Sequence, residues 1–237
     1  MKSLTGRTVV VTRPSDQAGA TAELLASVGA IPLVVPLIEV VDDAEGLRTL
    51  EGLDVSGVDW IVVTSPNGAA RAAVLIRPDT PSPKVAAVGT TTAAALPRCE
   101  LVPEIQSAMG LLETFPSGPG RVVVVQAVEA ASTLVEGLRG KAWDVVAISP
   151  YRTEPVVPTA DQRRAALAAD AVLFASGSAA RAWAEVFGRD TSPVAVAIGQ
   201  QTAAAATQAG LKITIVSTDH SLYGMLVALS RYFTDGN

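Results

Sequence analysis

Five short segments of this chain place small polar residues where they can hold an anion. Val11-Thr12-Arg13-Pro14, Thr64-Ser65-Pro66-Asn67, Val88-Gly89-Thr90-Thr91-Thr92, Ala175-Ser176-Gly177-Ser178 and Ile198-Gly199-Gln200-Gln201-Thr202 each follow an apolar run and open a helical stretch. In open parallel sheets, ligands bind beyond the carboxyl ends of the strands. Hydroxyl and amide side chains at such a corner cap the helix, while free N–H groups of the first turn point outward. Glycine removes the Cβ that would keep a ligand off the backbone. Together these features hold a carboxylate or phosphate without lysine. The plainer reading of any single corner is a helix cap, and recurrence of the set is what favours binding. A charge-assisted hydrogen bond contributes about 1.5–3 kcal/mol. Four or five of them, less ordering costs, reach the roughly 8 kcal/mol of micromolar affinity.

Tyr151 carries a different chemistry. It stands beside Arg152 in an extended, Pro-punctuated segment, in a chain with 3 tyrosines. A phenol that ionises at about pH 10 is protonated at neutral pH and can donate to a leaving group. An amphipathic ring packed at a junction explains the same residue, and both roles stay open at this point. His220, the single histidine, precedes the last helical stretch and reads as a surface residue rather than a base. Cys99, the single cysteine, excludes an internal disulfide and fits a reducing compartment. One histidine and one cysteine do not make a usual zinc site. No G-x-G-x-x-G, Walker A or G-x-S-x-G pattern is present, so dinucleotide, nucleotide and esterase chemistry are not signalled. A serine hydrolase using Ser176 and His220 is the weakest of the function classes weighed. No cofactor and no metal is expected.

The elements that must position these residues come from a weak internal duplication with a period of roughly 110–114 residues. Gly6-Arg7-Thr8-Val9 recurs as Gly120-Arg121-Val122-Val123, Asp59 as Asp170, Ser65-Pro66-Asn67 as Ser176-Gly177-Ser178, Val88-Gly89 as Ile198-Gly199, and Ser107-Ala108-Met109-Gly110 as Ser221-Leu222-Tyr223-Gly224. The runs at 9–11, 33–35, 61–63, 85–88, 122–125, 145–148, 172–174 and 194–198 are short, continuous and rich in Val and Ile. Such runs are expected of strands buried on both faces of a parallel sheet. Helical stretches such as Asp16–Val28, stopped by Gly29, and Gly68–Leu75 alternate with them. The fold class expected is therefore α/β, a doubly wound parallel sheet in each of two lobes. Pro36–Asp43 and Pro150–Pro158 occupy equivalent places in the two copies and read as crossovers between the lobes. Lobe 1 is then 1–37 plus 157–237, and lobe 2 is 38–156.

Composition narrows the partners. The 237 residues are 49% hydrophobic and 4% aromatic, with a net charge of −5. No Lys/Arg cluster marks a nucleic-acid footprint. No apolar run approaches the 18 or so residues of a membrane span. The opening Met1-Lys2-Ser3-Leu4-Thr5-Gly6-Arg7 lacks the apolar core of a signal peptide. A cytoplasmic monomer acting on a small molecule, with no nucleic acid and no membrane, is expected.

In order and spacing, the corners with Tyr151-Arg152-Thr153 resemble uroporphyrinogen-III synthases, over Thr8 to Leu229. The resemblance implies two flavodoxin-like lobes joined by a two-stranded extended linker, with the site in the cleft between them. It implies a cofactor-independent, cyclising hydro-lyase of tetrapyrrole biosynthesis (haem, sirohaem or cobalamin). Such an enzyme converts hydroxymethylbilane to uroporphyrinogen III, inverting ring D through a spiro intermediate. It makes Tyr151 the candidate acid. It makes Thr12, Arg13, Ser65, Asn67, Thr92, Ser176, Ser178, Gly199 and Thr202 the candidates for holding acetate and propionate carboxylates. Where the family often shows an Arg-Gly pair after the middle Val run, this chain has Gln126-Ala127-Val128-Glu129-Ala130-Ala131. That departure motivates the alternative of a non-catalytic tetrapyrrole- or anion-binding regulatory module on the same fold.

Overall fold

The computed structural model describes residues 4–80, 83–189 and 193–235. The first three residues of the leader reading lie outside them.

Two compact units are present, Met1–Glu39 with Glu154–Asn237, and Val40–Thr153. In the first, β1 (Thr8–Val11), β2 (Ile31–Val34), β8 (Ala171–Phe174), β9 (Val194–Ala197) and β10 (Ile215–Val216) form a sheet in the order β10-β9-β8-β1-β2. Every pairing in it is parallel. Helices α1 (Ser15–Ser27), α7 (Ala160–Leu167), α8 (Gly177–Phe187), α9 (Gln200–Gln208) and α10 (Leu222–Thr234) connect and cover the strands. Period-two alternation divides β1 between two cores. Val10 packs with Phe174, Trp183 and Ala206, and Val9 and Val11 pack with Leu25, Met225 and Leu229.

The second unit repeats the scheme. Its sheet runs β3-β7-β6-β4-β5, with β3 (Ile38–Asp42), β4 (Trp60–Val63), β5 (Lys84–Ala87), β6 (Arg121–Ala127) and β7 (Asp144–Pro155). The β4·β5, β4·β6 and β6·β7 ladders are parallel. Helices α2 (Ala44–Glu51), α3 (Pro66–Ala72), α4 (Thr90–Ala94), α5 (Ala108–Thr114) and α6 (Thr133–Gly140) complete it, α3 running on into a 3-10 turn at Ala73–Leu75. Val123 and Val125 face one core with Ile61 and Leu75, and Val122 and Val124 face another with Phe115 and Trp143.

One expectation needs adjusting, and one strand was not foreseen. β2 is not buried on both faces: it is the edge of its sheet, with Ile31 53% and Val34 37% exposed. The short edge strand β10 carries too few apolar residues to announce itself. The two crossover segments pair with each other, as two extended strands β3 and β7 lying side by side. Asp43 N–H donates to the Pro150 carbonyl at 3.0 Å and Val156 N–H to the Leu37 carbonyl at 2.9 Å, so the two strands run in opposite directions.

The duplicated aspartates explain how the copies are used. Asp170, from the second copy, accepts Thr8 N–H at 2.8 Å and pairs with Arg7 at 2.6 Å. Asp59, from the first copy, accepts Arg121 N–H at 2.8 Å. Each aspartate thus ties down the start of a strand that belongs to the other copy, so both sheets draw strands from both copies.

Candidate functional site

All five corners lie at the carboxyl ends of parallel strands, after β1, β4, β8 and β9 inside their sheets and after β5 at the edge of its own. The local chemistry divides them into three kinds.

Two are serine-capped. Ser65 Oγ accepts Gly68 N–H at 3.0 Å, and Ser176 Oγ accepts Ala179 N–H at 3.2 Å. Both serines have extended backbone, the conformation a cap needs. Ser178 Oγ lies 3.0 Å from Ser176 Oγ. Asn67 sits one turn back from Arg71, whose Nη1 donates to the Asn67 carbonyl at 2.9 Å.

Two corners are glycine-capped and carry no side-chain cap. Gly89 precedes α4 and Gly199 precedes α9. The N–H groups of Thr91 and Thr92, and of Gln200, Gln201 and Thr202, have no partner among the described residues. First-turn amides have none within the helix by construction. Thr92 and Thr202 occupy the same third position of the two helices and are 4% and 7% exposed. Neither hydroxyl has a hydrogen-bond partner among the described residues. Neither hydroxyl is sealed from solvent, so each keeps water as its partner until a ligand replaces it.

Each glycine also lies beneath a polar side chain. A Cβ on Gly89 would stand 2.8 Å from Gln106 Oε1, and one on Gly199 would stand 2.8 Å from His220 Cδ2. Gln106 and His220 are equivalent in the two copies, each preceding the serine that caps α5 or α10. In the second unit Gln106 Oε1 already accepts Thr90 N–H at 3.0 Å. His220 is exposed at the head of α10, yet its ring lies against a candidate corner. Ser176 forms no hydrogen bond with His220 among the described residues, which removes the geometry a serine hydrolase needs.

The remaining corner is internally satisfied. Thr12 does not cap α1: it is fully buried, and its Oγ1 donates to the Leu173 carbonyl at 2.8 Å. Register explains this, because Val11 pairs with Leu173 and the next side chain turns in between β1 and β8. Arg13 Nη2 donates to Gln17 Oε1 at 2.9 Å, and burial holds its guanidinium below its ordinary value, with Asp16 opposing.

Tyr151 is 4% exposed, and its Oη lies 2.6 Å from Ser65 Oγ. Its strand β7 therefore brings the phenol to the corner after β4. The Arg71 guanidinium stands over the ring, 5.0 Å from its centroid. Burial pushes the phenol above its ordinary value, while Ser65, Thr64 and Arg71 pull it down and Glu129 pushes it up. Glu129, in the segment that departs from the family pattern, accepts Thr153 N–H at 3.1 Å. Sequence reasoning missed Arg71 and Gln106. The signal for Arg71 was its place one turn after Asn67 on a helix that starts at a candidate corner.

A model of the family described as uroporphyrinogen-III synthase HemD matches residues 19–226. The chain belongs to the uroporphyrinogen-III synthase family. A porphyrin biosynthesis protein HemD from Ruminiclostridium josui is 26% identical across 96% of this chain, which spans 49% of that protein. The chloroplastic uroporphyrinogen-III synthase of Oryza sativa subsp. japonica is 29% identical across 93% of this chain and 79% of its own length. Among solved structures, a uroporphyrinogen III synthase mutant from the extremely thermophilic bacterium Thermus thermophilus superposes with TM-score 0.66 at 21% identity, over 97% of this chain and 100% of that one. The uroporphyrinogen-III synthetase of Helicobacter pylori does so with TM-score 0.61 at 18% identity, over 96% and 100%. These synthases share the α/β fold with its two parallel-dominated sheets. No described helix is long and apolar enough to cross a membrane.

Proposed function

We propose that this chain is a working synthase of its family, converting hydroxymethylbilane to uroporphyrinogen III. The observation that carries the proposal is the family match over residues 19–226, which contains Tyr151 and all the corners except the first. Hydroxymethylbilane closes unaided to the unflipped isomer, so the protein's task is largely to hold the right carbons together. Near-attack positioning contributes about 7–11 kcal/mol without a strong nucleophile.

The chain's groups take the following roles. Ser65, Asn67, Thr92, Ser176, Ser178, Gly199 and Thr202, with the open amides beside them, receive acetate and propionate carboxylates. Thr12 and Arg13 act through the shape of the first turn rather than by touching substrate. Tyr151 gives its proton to the departing hydroxyl, the C–O bond breaks, and water leaves with the bonding pair. Ser65 already accepts Gly68 N–H and has its own proton to give to the phenolate. Ring D then attacks through its substituted carbon, and the spiro intermediate fragments and recloses. The proton shed as the last pyrrole re-aromatises returns to Tyr151. A cytoplasmic monomer that binds no nucleic acid fits the acidic composition, with its pI near 4.9.

The test is isomer analysis. With hydroxymethylbilane the purified chain yields the type III isomer, and Tyr151→Phe slows it by about 10²–10⁴ while leaving the fold intact. Type I alone, matching an enzyme-free control, overturns the proposal, and tight tetrapyrrole binding with no isomer control favours a regulatory module.

A further inference from the structure

Arg71 is pinned on three sides. Its Nε donates to Asp42 Oδ1 at 2.8 Å, Nη2 reaches the same oxygen, and Nη1 donates to the Asn67 carbonyl at 2.9 Å. Its third neighbour is the face of the Tyr151 ring, 5.0 Å from guanidinium carbon to centroid. One side chain thus ties β3, α3 and β7 together, and it is itself only 19% exposed. A surface ion pair needs none of this, since such pairs hold long side chains loosely and contribute little. Asp42, at 60% exposed, keeps most of its hydration, so the guanidinium is neutralised only in part. A cation held this close to a ring face favours the phenolate over the phenol.

We propose that Arg71 is the positioning residue of Tyr151: it fixes the ring against the Ser65 corner and eases release of the phenol proton in a buried place. This rests on Tyr151 acting as the acid. The groups that face the phenol are Ser65 and Thr64 from the turn before α3, Arg71 from α3, and Glu129 from the segment after β6. Asp42 and Asp43 lie behind Arg71 and Arg152, Asp43 pairing with Arg152 at 3.3 Å. Arg71 is the cation among those in direct reach of the ring, and Glu129 opposes it. Without Arg71 the buried phenol would hold its proton more tightly still.

The experiment labels the whole chain with fluorotyrosine, whose phenol ionises at lower pH than tyrosine, and follows each tyrosine by fluorine NMR. Tyr151→Phe assigns the resonance. Arg71→Gln raises the Tyr151 midpoint by about one unit and lowers kcat for the type III isomer about ten-fold, with KM little changed. Arg71→Lys, which keeps the charge, restores most of the midpoint and part of kcat. Arg71→Met keeps the methylene packing on the ring and carries the test should Arg71→Gln not fold. A midpoint that stays in place in the neutral variants overturns the inference, as does a Lys variant no better than they are. The two ideas fail separately. An unimpaired Tyr151→Phe enzyme removes the acid role whatever the titration shows. A slow Tyr151→Phe enzyme beside unshifted Arg71 variants removes only the role of Arg71.

Discussion

Ser65→Ala separates two jobs that its copy-mate Ser176 does not combine. Ser65 Oγ caps α3 and also sits 2.6 Å from the hydroxyl of Tyr151. Losing the cap costs about 1 kcal/mol. Losing the second bond leaves a hydroxyl on a residue that is 4% exposed with Thr64 as its remaining neighbour, which costs about 1–2 kcal/mol more. The total for Ser65→Ala is therefore about 2–3 kcal/mol. Ser176→Ala loses a cap and a contact with a half-buried serine, and costs about 1 kcal/mol. Urea unfolding followed by tryptophan fluorescence measures both, since Trp60 and Trp143 belong to the second unit and Trp183 to the first. In a Tyr151→Phe background the cost of Ser65→Ala shrinks to that of the cap alone, about 1 kcal/mol. Equal costs for the two serines, or an undiminished cost in the Phe background, would show that the Ser65–Tyr151 bond contributes nothing.

The other predictions are briefer. Burial raises the Tyr151 phenol above its unfolded value, so the folded state favours the protonated form; the stability this contributes is complete below pH ~10 and is lost as pH climbs through the folded value. Tyr151→Phe removes that alkaline component, seen as a flatter stability curve above pH ~10. Thr92→Val and Thr202→Val each leave urea stability unchanged, because the hydroxyls have no partner among the described residues, but weaken substrate binding about ten-fold by KM. Gly177→Ala sets a Cβ 2.8 Å from the Ala205 Cβ, a stiff neighbour, and costs about 1–3 kcal/mol, whereas Gly199→Ala meets only the movable His220 ring and costs little.

Much of the fold was readable because its strands are buried on both faces. Runs such as Ile61–Val63 and Val122–Val125 stand out when every side chain in them must be apolar. β10 escaped notice for the opposite reason: at an edge, Ile215 and Val216 need only partial cover. The candidate site was legible in residue type but not in role. Thr12 and Thr202 look alike in sequence, and only strand register turns the first into a stitch between β1 and β8 while the second keeps an open hydroxyl. Arg71 was hidden because its partners, Asp42 and Tyr151, lie far away along the chain, and a lone arginine on a short helix carries no periodic signal.

The order of strands along the chain has a consequence for synthesis on the ribosome. The unit spanning Val40–Thr153 is continuous, so every piece of it has emerged before the other can be finished. β1 and β2 are made first, yet β1 lacks its other neighbour until Ala171–Phe174 arrives. During that interval a nascent chain carries a completed inner body behind an amino-terminal pair of strands with one flank bare. Arg7, made near the start, waits for Asp170 to pair with it and for Phe233 to lie beneath its guanidinium. Domains usually mature from the amino terminus onward, but here the end that is born first closes last.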